Sequence, residues 1–81
     1  MTNLERYIDV FKNIFDVEES DLDDDFTFSN ISKWDSLTHL TLITTLEDTF
    51  DVMFDTEDIL HYGSFKNGIN ILGKYGVEFD K

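Results

Sequence analysis

Apolar side chains first recur at Leu4, Tyr7, Ile8, Phe11, Ile14 and Phe15. Steps of three and four residues put all of them on one helical face. Thr2 and Glu5 have the spacing of a capping box at the start of that face. A first helix is therefore expected from about Asn3 to Phe15. From Asp16 to Lys33 no helical period persists. Val17, Leu22, Phe26, Phe28 and Ile31 are scattered among Glu18, Glu19, Asp21, Asp23, Asp24 and Asp25. Irregular segments this long are uncommon in small domains and tend to be functional. The scattered apolar residues predict a loop pinned across a helical core rather than a free linker.

The period returns after Asp35, a good N-cap residue, and predicts a second helix to about Phe50. Leu40, Leu42, Ile43, Leu46 and Phe50 fall on one broad face at 100° per residue, which is expected to be buried. Leu37 lies off that stripe and is expected to be exposed, together with Thr41, Thr44, Thr45, Asp48 and Asp51. Asp55 as N-cap and Asp58 in the first turn open a short third helix through Ile59 and Leu60, which His61-Tyr62-Gly63 ends. Ser64 caps a fourth helix with apolar positions Phe65, Ile69, Leu72 and Tyr75, and Gly76 is placed for a left-handed C-terminal turn. Gly68 and Gly73 each cost ~1 kcal/mol against alanine inside a helix, so the fourth helix is expected to be the weakest. Val77 to Lys81 reads as a loosely held tail. The expected fold class is all-α: a four-helix bundle with a long loop between helices one and two and a short third helix, in a single domain over residues 1–81.

Composition sharpens this picture. Apolar residues make up 41% and charged residues 30% of the chain, a globular balance. Eight Phe, three Tyr and one Trp give a small core extra apolar area. No cysteine is present, so neither disulfides nor thiolate metal sites reinforce it. No apolar run is long enough to span a membrane, and a basic, then apolar, leader pattern is missing, which leads us to expect a cytoplasmic protein. A net charge of −12 argues against nucleic acid or an anionic membrane as partner. It suits partners with basic docking patches.

Candidate chemistry centres on Trp34-Asp35-Ser36-Leu37. A serine on the first turn of a long helix is well placed to hold an anionic group, because free N–H groups and the helix dipole meet there. Hydrolysis at Ser36 would need an oriented base. His39 is near enough in sequence but falls on the buried side of the helix, where a structural histidine is expected. His61 has no cysteine or second histidine beside it for a metal site. Asp21, Asp23 and Asp25 match the first positions of a calcium-binding loop. Phe26 then stands where that loop needs glycine, and Ser32 where it needs a bidentate glutamate. Loose association of divalent cations with the acidic run is the alternative left open. With no catalytic cavity expected, the chain reads as a non-enzyme whose Ser36 is modified in trans. The rival of a different class is an unmodified acidic helical module that binds a basic protein.

Asp35-Ser36-Leu37, followed by Leu40, Leu42, Ile43, Leu46, Glu47 and Phe50, resembles the attachment motif of acyl carrier proteins. The resemblance extends over nearly the whole chain, from the first helix through the acidic loop to the fourth. It implies a 4′-phosphopantetheine arm on Ser36, installed from coenzyme A by a phosphopantetheinyl transferase, with acyl groups carried as thioesters for fatty-acid or related lipid metabolism. Asp35 would cap the helix and help present the serine. Leu37, Thr41, Thr44, Glu47 and Asp48 would dock partner enzymes, the carrier being a monomer. Two features depart from the fatty-acid carriers. Lys33-Trp34 precede Asp35, where many of them have a glycine two residues before the aspartate. Thr38, Thr41, Thr44 and Thr45 occupy a face where they usually show more carboxylates. The tryptophan beside Asp35-Ser36 is closer to specialised carriers, including aminoacyl carriers such as D-alanyl carrier proteins.

Overall fold

The computed structural model describes residues 2–79. Four α-helices follow in order: α1 (Asn3–Phe15), α2 (Ser36–Phe50), α3 (Thr56–Leu60) and α4 (Phe65–Lys74), with a single 3-10 turn at Glu19–Asp21 in the long loop. Each α-helix begins on a side-chain oxygen. Thr2 Oγ1 accepts from Glu5 N while Glu5 Oε1 accepts from Thr2 N, completing the expected box. Asp35, Asp55 and Ser64 accept from Thr38, Asp58 and Asn67 respectively. The helix ends are less conventional. Asp16 (φ 56°) and Asp51 (φ 54°) take the left-handed conformation that closes α1 and α2, a role usually filled by glycine but open to aspartate. Gly76 adopts φ 92° after α4, as its position predicts.

The core is largely aromatic. Phe11 sits at its centre, with ring centroids 4.9 Å from Tyr7, 5.0 Å from Phe65, and 5.8 Å from both Phe26 and Trp34. Tilted and edge-on pairs of this kind add ~0.5–1.5 kcal/mol each beyond buried area. Leu42, Ile43 and Leu46 of α2 and Ile71 and Leu72 of α4 close the interior. The long loop is pinned as expected. Phe26 and Trp34 are buried in the core, with Val17, Leu22 and Ile31 packed at its edge. The loop is also tied to the α3–α4 connection: Phe28 N donates to Gly63 O (2.8 Å) and Phe65 N to Phe26 O (3.0 Å). These two bonds flank an isolated bridge between Thr27 and Ser64. Lys33 Nζ donates to Phe15 O at the end of α1, where a cation complements the helix dipole.

Three expectations need correction. Leu40 is exposed rather than buried: it lies at the edge of the α2 stripe facing α3, whose five residues make too few turns to cover it. Gly68 is more than a helix-weakening residue. It is buried, and a Cβ there would come within 2.1 Å of both the Tyr7 and Tyr62 hydroxyl oxygens, so only glycine admits the close approach. The tail is held through Phe79, whose ring packs edge-on against Tyr7 at 5.6 Å, while Asn3 Nδ2 donates to Glu78 O. Asp80 and Lys81 lie outside the described residues.

Two polar clusters lock α4 to its neighbours. The Tyr7 hydroxyl donates to Phe65 O (2.6 Å) and lies 2.8 Å from the Tyr62 hydroxyl. Since Tyr7 has one proton, Tyr62 is the donor between them. Burial pushes both phenols above their ordinary pKa, which keeps the pair neutral. At the C-terminal end of α4, Asp58 of α3 is buried and accepts from Lys74 Nζ (2.8 Å) and the Tyr75 hydroxyl (2.5 Å). These two donors, Lys74 first, hold the Asp58 carboxyl below its usual pKa.

Candidate functional site

Ser36 is the first residue of α2 and is exposed. Two neighbours fix its position. Asp35 Oδ1 accepts from Thr38 N at 2.8 Å, and this backbone donor is the main reason its carboxyl stays charged to lower pH than an ordinary aspartate. The N–H groups of Ser36 and Leu37 have no intrahelical partner, so the helix start presents partial positive charge toward the serine. Trp34 anchors the other side. It is only 2% exposed, filling the end of the bundle beside the site.

The histidine question is resolved by two hydrogen bonds. Trp34 Nε1 donates to His39 Nδ1 (3.0 Å), and the His39 Nε2 lies 2.8 Å from Ile59 O. Indole is only a donor, so Nδ1 carries the lone pair and Nε2–H donates to the carbonyl. Both ring nitrogens are occupied in joining the end of the loop, α2 and α3, and neither is free to act as a base on Ser36. His39 is half-buried and structural, as expected.

A groove of about 450 Å³ opens beside Ser36, lined by Phe28, His39, Leu40, Ile59, Leu60 and Gly63. The sequence pattern suggested no cavity here. The groove exists because the loop, α2 and short α3 meet at an end that none of them covers. Leu37, Leu40 and Leu60 around it are 75%, 58% and 73% exposed. Of the other expected site residues, Thr41, Thr44 and Asp48 are exposed along α2, whereas Glu47 is half-buried and accepts from Phe54 N at 2.9 Å. Sequence reasoning missed Phe28 and Leu60: one lies in an irregular segment and the other ends a helix too short to show a period. It also assigned Leu40 to the interior.

Among the described residues there is no group of three or more His, Asp or Glu side chains arranged to hold a metal ion. In the acidic run, Asp21 Oδ2 and Asp23 Oδ1 accept from the backbone N–H groups of Glu18 and Asp25. No described helix is long and apolar enough to cross a membrane.

The sequence matches the family profile of the phosphopantetheine attachment site over residues 7–67. The chain belongs to this family. It is a carrier protein with covalent 4′-phosphopantetheine, modified by a phosphopantetheinyl transferase and acting with synthases and transferases rather than as an enzyme itself. Neither curated proteins nor solved structures give a significant match. The matched span covers the long loop, the start of α2, all of α3 and the groove between them. The residues present suit the group: Ser36 exposes a hydroxyl at a helix start, where the helix dipole favours an anion. The arm supplies a terminal thiol for thioester formation, which this cysteine-free chain otherwise lacks.

Proposed function

We propose that Ser36 bears the phosphopantetheine and that the chain is an acyl carrier protein, presenting thioester intermediates to enzymes of fatty-acid or related specialised biosynthesis. The observation that supports Ser36 is its setting. Of the five serines, Ser64 is half-buried and its hydroxyl accepts from Asn67 N. Ser20, Ser29 and Ser32 lie in the loop. Ser36 alone combines exposure with the first position of a long helix, directly behind a capping aspartate. Asp35 orders that turn for the transferase. Leu37, with Thr41, Thr44 and, farther along, Glu47 and Asp48, forms the side from which partner enzymes approach. An apolar groove beside Ser36 favours an acyl cargo over the charged aminoacyl group of a D-alanyl-type carrier.

Incubating the chain with a phosphopantetheinyl transferase, coenzyme A and Mg²⁺ is expected to add the mass of one phosphopantetheine. Ser36→Ala is expected to abolish the gain. Modification of the Ser36→Ala variant, or an unchanged wild-type mass with several broad-specificity transferases, would refute the assignment. Loading the modified chain with malonyl or aminoacyl groups by candidate partner enzymes then separates the two cargo classes.

A further inference from the structure

His39 lines the groove beside Ser36 and reaches across it. Its Nδ1 accepts the indole proton of Trp34, and its Nε2–H donates to Ile59 O. Among the described residues this second bond is the one side-chain hydrogen bond that joins α2 to α3. On its other side α3 is held more firmly. Asp58 accepts from Lys74 Nζ and the Tyr75 hydroxyl, and that hydroxyl in turn accepts from Asp55 N. In hydrogen bonds, α3 is therefore fastened to α4 at several points and to α2 through one imidazole. That imidazole serves only in its neutral form. With a proton on Nδ1 the ring has two donors and no acceptor. The indole N–H would then face a second N–H at a position only 2% exposed, and a buried donor without a partner is costly. Turning the ring over brings no relief, since either nitrogen then donates. Trp34 has nowhere to go: its ring lies 5.2 to 5.9 Å from those of Phe11, Phe15 and Phe26 in the core. His39 is half-buried and borders the open groove, so it is the imidazole that leaves, taking Nε2 away from Ile59 O.

We propose that His39 is a proton-sensitive latch: neutral, it holds α3 against α2, and protonated, it swings out to solvent and lets the groove beside Ser36 widen. The charged and titratable groups around it leave the added proton without a counterion inside the fold. Among the described residues no carboxylate lies within 4.0 Å of an imidazole nitrogen. Asp35, at the N-cap of α2, is exposed and its carboxylate accepts from Thr38 N. Lys33 of the loop donates to Phe15 O. On α3, Asp58 is bound to Lys74 and Tyr75, and Glu57 is exposed. From the α3–α4 connection the Tyr62 ring stands 6.1 Å from the imidazole, and burial keeps its phenol neutral.

Amide hydrogen exchange of the full chain tests this, read as protection factors at about pH 7.5 and about pH 5, the range over which histidine side chains change charge. In the wild-type chain the amides of Ile59 and His61, which bond to Asp55 O and Glu57 O, are expected to lose about tenfold in protection at the lower pH. Those of α1 are expected to keep theirs, so the opening is local. The emission of Trp34, the only tryptophan, is expected to change over the same range. His39→Gln offers one acceptor and one donor at every pH, and is expected to show neither effect. His61, exposed at the end of α3, titrates in both chains and cancels in the comparison. Asp58 stays charged at both values, its pKa being lowered first by Lys74 and then by Tyr75. Trp34→Phe removes the indole N–H, so a protonated His39 opposes no donor there and keeps its bond to Ile59 O, and α3 is expected to stay protected in acid. An unchanged wild-type chain, or an equal loss in wild type and His39→Gln, overturns the inference. Where glutamine fails to span both partners, α3 is already unprotected at about pH 7.5 in that variant, and Trp34→Phe decides: a full loss in acid there overturns the latch. None of these readouts uses a transferase, so the assignment of Ser36 stands or falls separately.

Discussion

Alanine at Gly68 and at Gly73 should change stability in opposite directions, although both glycines lie in α4. At Gly73 an added Cβ meets nothing within 4 Å. Gly73→Ala should therefore show the gain in helix propensity, about 0.5–1 kcal/mol. At Gly68 the same methyl falls 2.1 Å from each of two tyrosine oxygens and 2.3 Å from Tyr62 Cζ. Ordinary contact is ~3.5–4 Å, so at least one ring must retreat by more than ~1 Å. Neither ring has space, since Tyr7 and Tyr62 are both fully buried. Overpacking costs about 1–3 kcal/mol, and breaking either buried hydroxyl bond adds about 1–3 kcal/mol. Less the ~1 kcal/mol of helix propensity, the net loss is about 1–5 kcal/mol. That is a large share of the roughly 4–12 kcal/mol expected for a domain of this size. Urea unfolding followed by far-UV circular dichroism would read both variants from their midpoints at unchanged m. Gly68→Ala placed on a Tyr62→Phe background should recover only part of the loss, because the Cζ contact remains. If Gly68→Ala raises the midpoint as Gly73→Ala does, the close approach of the two tyrosines to α4 is wrong.

The tyrosine pair should be asymmetric. Tyr62→Phe leaves Tyr7 donating to Phe65 O and should cost about 1 kcal/mol, whereas Tyr7→Phe removes both bonds and strands the Tyr62 hydroxyl, costing about 2–3 kcal/mol; equal losses in urea unfolding would refute the assigned donor order. Stability should also fall with acid through Asp58 and Asp35, whose folded pKa values are depressed. For a depressed carboxyl the contribution is complete above the unfolded value of about 3.9 and is lost as pH falls through that value toward the folded one. Wild type should therefore lose urea midpoint more steeply than Asp58→Asn between about pH 5 and pH 3. Relief of repulsion among the many carboxylates acts on both chains and cancels in that difference, so parallel pH profiles would show that the Asp58–Lys74–Tyr75 contact is not formed.

What could be read from the sequence was what lies within one helical turn. Asp35 caps through Thr38, three residues away, and Thr2 through Glu5, so composition at those positions already specifies the hydrogen bond. The same holds for the position of Ser36, which opens α2 directly after its capping residue. The groove is different in kind. Phe28, Leu40 and Leu60 come from three separate segments, and no periodicity in any one of them states that they meet. The α2 wheel places Leu40 in the interior because it assumes a partner long enough to cover the whole apolar face, and α3, five residues long, is not. Within its own helix Gly68 is only a cost, since the hydroxyls that require it belong to residues 7 and 62. These two departures have one physical cause. Exposure at Leu40 and close approach at Gly68 are set by how far a neighbouring element reaches, a quantity local patterning does not contain. A longer α3 would bury Leu40 and close the groove, so the shortness of α3 is what leaves an apolar surface open beside Ser36.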